Sequence, residues 1–76
     1  LGKKLRESGL YTPSLVHFKA LLKYLPNSPE VHFEIGSTYS MKGDIQSAFK
    51  EFSTVLNIDP KNQLAKKAIS ALKMRR

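Results

Sequence analysis

The sequence predicts an all-α fold in which antiparallel helix–turn–helix units stack in series. Three observations predict it. Gly and Pro punctuate the chain at Gly2, Gly9, Pro13, Pro26, Pro29, Gly36, Gly43 and Pro60. Between these points the apolar residues recur at spacings of three and four, the period of a helix rather than the alternation of a strand. A shift of 34 residues also superposes Gly2 on Gly36, Gly9 on Gly43, Phe18 on Phe52, Leu22 on Leu56 and Pro26 on Pro60. Such self-similarity is the mark of a repeated supersecondary unit.

Residues 1–8 read as the last turns of a truncated helix ended by Gly9. Residues 13–25 place Ser14, Leu15, Phe18, Leu21, Leu22 and Leu25 on one stripe, with Thr12 as N-cap and Pro13 at the first helical position. Residues 29–41 place Val31, His32, Ile35, Gly36 and Tyr39 on one face. Ser28-Pro29 supplies the start signal, and Glu30 suits the positive end of the helix dipole. Gly43 fits a left-handed C-terminal position, and Asp44 caps the next helix. Residues 45–58 group Ile45, Ala48, Phe49, Phe52, Val55 and Leu56, stopped by Asp59-Pro60. Residues 63–75 group Leu64, Ala65, Ala68, Ile69 and Leu72 behind Asn62 as cap. The short connections make neighbouring helices antiparallel.

The repeated positions are those where geometry dictates the residue. Gly36 lets two helices approach closely, Ala48 is small where they cross, and Phe52 fills the space between them. Gly43 supplies a positive φ. Pro60 ends its helix.

On these residues, the chain resembles the tetratricopeptide repeat family, whose unit is a 34-residue helix–turn–helix. Residues 29–62 are similar to one full repeat, matched by Ile35, Gly36, Tyr39, Gly43, Ala48, Phe52, Val55 and Pro60. His32 departs from the large aromatic usual near the start. Residues 1–28 resemble a truncated first repeat, with Ser14 where Ala is usual and Leu5 where Tyr is usual. Residues 63–76 correspond to a capping helix or to the first helix of a third repeat. Ser70 and Lys73 at the glycine and tyrosine positions favour the cap. The resemblance implies one domain over residues 1–76, an α-solenoid closed by its C-terminal helix.

The composition sets limits on function. The 76 residues include no Cys, which excludes disulfides, thiolate zinc sites and a cysteine nucleophile. No metal, cofactor or catalytic group is expected: His17 and His32 stand apart, Ser37, Ser40 and Ser53 have no base at triad-like spacing, and Glu30 and Glu34 read as solvated helix residues. No apolar run is long enough for a membrane span. The chain starts at Leu1 without a signal-peptide pattern, so the expectation is a piece of a longer intracellular, cytoplasmic protein. The net charge is +7, distributed as +4 over residues 1–25, −3 over 26–60 and +6 over 61–76.

Binding is expected opposite the core face of residues 29–41, where Glu30, Phe33, Ser37, Ser40 and Met41 share a side. The competing reading is that Phe33 and Met41 are isolated surface apolar residues, which are common. The resemblance implies a concave groove for an extended or helical peptide. It adds Lys3, Arg6 and Glu7 from the first repeat and Lys67, Ala71 and Met74 from the last helix. One subclass of the family clamps a peptide's terminal carboxylate, but Lys67 alone matches its pattern. Lys3 and Ser37 stand at Asn positions and Ala71 at an Arg position, so that clamp is not expected. Lys3 and Lys67 still favour an acidic peptide.

The expected role is therefore a non-catalytic scaffold or adaptor module for protein–protein interaction. The alternative is a helical repeat that binds RNA or another polyanion through its basic N- and C-terminal clusters, the latter Lys66, Lys67, Lys73, Arg75 and Arg76, among which no aromatic sits to stack bases. The simpler reading, which the sequence favours, is that the C-terminal charges are the solvated face and tail of a final helix. A third expectation is self-association through the Leu15, Phe18 and Leu22 stripe.

Overall fold

The computed structural model describes residues 9–74, which form four helices: α1 (Tyr11–Leu21), α2 (Pro29–Lys42), α3 (Ile45–Ile58) and α4 (Gln63–Met74). There is no strand among the described residues. The predicted stub over residues 1–8 lies outside them. The starts of α1 and α3, Tyr11 and Ile45, are 34 positions apart, and so are those of α2 and α4, Pro29 and Gln63.

Three helix starts have the predicted caps. The Val31 N–H donates to Ser28 Oγ at 3.3 Å, with Pro29 in the first turn. The Ser47 N–H donates to Asp44 Oδ1 at 3.2 Å and its hydroxyl to Asp44 Oδ2 at 2.8 Å. The Ala65 N–H donates to Asn62 Oδ1 at 2.9 Å. Each cap satisfies one of the donors that a first turn leaves without a partner. Gly9 and Gly43, one repeat apart, both take positive φ, 82° and 95°.

Helix α1 differs from its prediction at both ends. It begins at Tyr11, and Leu10 occupies the N-cap without a side-chain bond, so Thr12 is not the cap. The Ser14 N–H reaches Leu10 O at 3.1 Å and closes the first turn two residues earlier than Pro13 signals. Pro13 is tolerated there because its missing N–H has no partner inside the first turn. The helix ends at Leu21, and Lys23 and Tyr24 donate to the carbonyls three residues back, at 3.2 and 3.0 Å. This tightening carries the chain into Pro26 before Leu25 can extend the stripe, and Leu25 is exposed.

Consecutive helices pack on one another, α2 against α3 most extensively. The two-residue Gly43-Asp44 connection forces these two antiparallel, and His32 of α2 accordingly meets Glu51 of α3. The core has two clusters. One joins Leu15 and Phe18 of α1 to Val31 and Ile35 of α2. The other joins Ala48 and Phe52 of α3 to Leu72 of α4, with Phe33, Ala68 and Ile69 packed on it. Tyr39 touches both clusters. Ser14 and Ala48, equivalent by the 34-residue shift, are both fully buried where small residues let helices approach. The expected bare stripe on α1 is absent, because α2 covers Leu15 and Phe18 until they are buried and leaves Leu22 half-buried.

Candidate functional site

Residues of α2 and α4 line a shared groove, first turn against first turn and later turns against later turns, so the two helices run in the same direction along it. Two open clefts lie along it. The first, of about 340 Å³, lies at the N-terminal ends of both helices. Pro29, Glu30, Phe33 and Glu34 of α2 form one wall, Asn62 and Leu64 the other, and Phe18 and Leu21 of α1 close its end. The second, of about 220 Å³, lies further along. Ser37, Ser40 and Met41 of α2 face Ala68 and Ala71 of α4 across a floor of Phe52 and Leu72.

The structure thus brings Ser37, Ser40 and Met41 together in the second cleft and places Phe33 in the first. Met41 is half exposed at the rim. Phe33 is not opposite the core. Its ring lies 5.3 Å from that of Phe52, tilted at 49°, and it is half-buried against the second core cluster. The reason is tertiary: α4 adds a second core on the side of α2 that periodicity alone assigns to solvent. Lys67 is exposed on α4 and lines neither cleft. Lys3 and Arg6 lie outside the described residues.

Other residues of the site were not legible as such. Leu64, predicted on the buried stripe of α4, is 62% exposed and forms a wall of the first cleft. Its position at the leading edge of that stripe was the only signal. Glu34, predicted to be solvated, is half-buried in the same wall.

The lining is apolar apart from the hydroxyls of Ser37 and Ser40, Asn62 and two carboxylates. Among the described residues, the charged groups that line the two clefts are Glu30 and Glu34. Glu30 is exposed and accepts from the Ser28 hydroxyl at 3.1 Å.

A separate polar cluster ties the first three helices together. His32 Nδ1 lies 2.9 Å from Glu51 Oε1, and His32 Nε2 lies 3.0 Å from the carbonyl of Pro26. Lys19 Nζ sits 5.6 Å from the centroid of the Tyr39 ring, within cation–π range. The hydrogen bond and charge interaction with Tyr39 hold the Lys19 ammonium above its ordinary pKa against the opposing effect of burial, with Glu51 adding the least. Both nitrogens of His32 are engaged in joining helices, and its imidazole lines neither cleft. No described helix is long and apolar enough to cross a membrane. The arrangement can strip water from apolar side chains laid along α2 and α4 and offer them hydroxyl and carboxylate edges.

Compared with known proteins, the chain matches no family model and no curated protein.

Proposed function

We propose that this chain is a tetratricopeptide-like α-solenoid module that binds a peptide or partner helix in the groove between α2 and α4. It would act as a non-catalytic scaffold or adaptor. The observation that carries this reading is the pair of clefts aligned along two parallel helices, with Ser37, Ser40 and Met41 facing Ala68 and Ala71 over Phe52. The repeat reading is supported by helix starts 34 residues apart, by Gly9 and Gly43 in the left-handed conformation and by Ser28 and Asn62 capping at equivalent positions. The far side of α4 carries Gln63, Lys66, Ser70 and Lys73, all exposed, with Met74 as the one large apolar side chain beside them among the described residues. This favours α4 as the closing helix of the stack.

The same face favours a second reading, in which Lys66, Lys67 and Lys73, with no acid on α4, contact a polyanion. An amide-shift titration with an apolar helical peptide at low and high salt tests both. Saturable shifts at Phe33, Ser37, Ser40 and Met41 that persist in salt are expected for the groove. Binding to a polyanion that maps to α4 lysines and collapses steeply with salt, with no peptide response, would favour the second.

A further inference from the structure

We infer that the occupant of the groove is an amphipathic helix with two apolar anchors two turns apart and a cationic side chain beside the first. This rests on the peptide-groove reading and names the partner's chemistry. Three features of the clefts carry it.

The first is spacing. On α2 the linings centre near residues 31 and 39, and on α4 near 63 and 70. Seven to eight residues of helix span roughly 11 Å. A ligand helix lying along the groove matches that distance with side chains at i and i+7, the spacing by which helices dock into apolar grooves. An extended peptide would match it with side chains three or four apart.

The second is the size and shape of each cleft. The second cleft, about 220 Å³, lies below the usual range for small-molecule sites, and its walls of Ser37, Ser40, Ala68 and Ala71 leave room for one aliphatic side chain over Phe52. The first cleft is larger, with Phe33 facing Leu64. It suits the bulkier anchor.

The third is charge. The carboxylate of Glu30 stands exposed on the rim of the first cleft, and no lysine or arginine among the described residues lines either cleft. This favours the opposite charge to the acidic peptide expected from Lys3 and Lys67, of which Lys67 lines neither cleft and Lys3 lies outside the described residues. A lysine or arginine next to the first anchor would meet Glu30 at a surface-exposed distance, which sets direction and specificity more than affinity.

The experiment uses two synthetic 16-residue helical peptides that share leucines at i and i+7. One carries two lysines beside the first leucine, and the other carries two glutamates there. Each is titrated into the full chain while amide shifts of Glu30, Phe33 and Leu64 are monitored together with those of Ser40 and Ala71. The lysine peptide is expected to shift both groups and to bind about fivefold tighter than the glutamate peptide. The exposed variant Glu30→Lys should reverse that preference. Ala71→Trp, also at an exposed position, should abolish the shifts of the second cleft and weaken both peptides. Equal or tighter binding of the glutamate peptide, or a preference unchanged in Glu30→Lys, overturns the inference and leaves the groove reading standing. Shifts confined to one cleft overturn the two-anchor spacing. Cleft shifts that depend on protein concentration before any peptide is added would assign the groove to a second copy and overturn the inference. If neither peptide moves any cleft residue, the groove reading fails as well.

Discussion

A β-carbon placed on Gly36 would lie 2.8 Å from the ring of Phe52, with a second ring atom at 2.9 Å. The contact fixes how closely α2 and α3 approach, at the point where the floor of the second cleft is laid. Phe52 is almost fully buried, flanked by Phe33, Ala48 and Leu72, so its ring has little room to yield.

Two effects oppose each other in Gly36→Ala. Alanine in a helix interior is favoured over glycine by about 1 kcal/mol. Overpacking a tight core costs about 1–3 kcal/mol. The ring edge, not a flexible chain end, is what the methyl meets, so net destabilisation of about 1 kcal/mol is expected. Urea unfolding with an unchanged m-value would read it, and a net stabilisation would show that the helices can separate at no cost. The same substitution in a Phe52→Leu background should cost less, because the two residues are in contact.

Gly43 tests a different constraint. Nothing lies within 4 Å of a β-carbon there, so space is not the issue, and its φ of 95° is. Gly43→Ala is expected to destabilise by about 1 kcal/mol and Gly43→Asn by less, since asparagine tolerates the left-handed region. Thermal melts of the three proteins should rank Gly, Asn, Ala in descending Tm.

His32 joins the α1–α2 loop to α3 through Pro26 and Glu51. Replacing it with leucine removes imidazole donation beside a partly buried carboxylate and an exposed carbonyl, two acceptors of which a neutral ring serves only one. His32→Leu is expected to cost about 1–3 kcal/mol. A double-mutant cycle with Glu51→Gln should give a coupling of about 0.5–1 kcal/mol. Additivity within error would mean that the 2.9 Å contact contributes nothing.

The Lys19–Tyr39 pair gives a pH dependence of defined sign. The folded pKa of Lys19 is raised above its ordinary 10.5, chiefly by the hydrogen bond with Tyr39. The contribution is therefore fully present below 10.5 and disappears as pH rises through the higher folded value. Lys19→Met, which keeps the stem and loses the charge, should lower stability at neutral pH, where the contribution is fully present, and flatten the alkaline limb where the native protein loses it. An identical alkaline limb in both proteins would exclude the pair as its source.

Asp44 acts at the other end of the scale. The Ser47 hydroxyl and then the Ser47 N–H lower its pKa from 3.8. Its stabilisation is complete above 3.8 and is lost as pH falls through the lower folded value. Asp44→Asn retains capping ability and should remove this acid-side dependence. A carbon-detected titration of Asp44 with no downward shift would contradict it.

The boundaries of α2, α3 and α4 were legible in the sequence because local chemistry sets them. Ser28, Asp44 and Asn62 act on N–H groups within three residues, and Gly43 on its own φ. The groove was legible only in part. Ser37, Ser40 and Met41 share a face by period alone, but which neighbour faces them is not a property of α2.

The sequence by itself determined the helices, their 34-residue recurrence and the small residues where helices cross, since propensity, capping and steric size act along or near the chain. Only the tertiary structure decided that Phe33 turns into the second core, that Leu64 walls a cleft and that Glu30 rather than Lys67 stands at the groove's rim. Those outcomes depend on where α4 comes to rest against α3, and that is set by the joint burial of Ala48, Phe52, Ala65 and Leu72 across residues far apart in sequence.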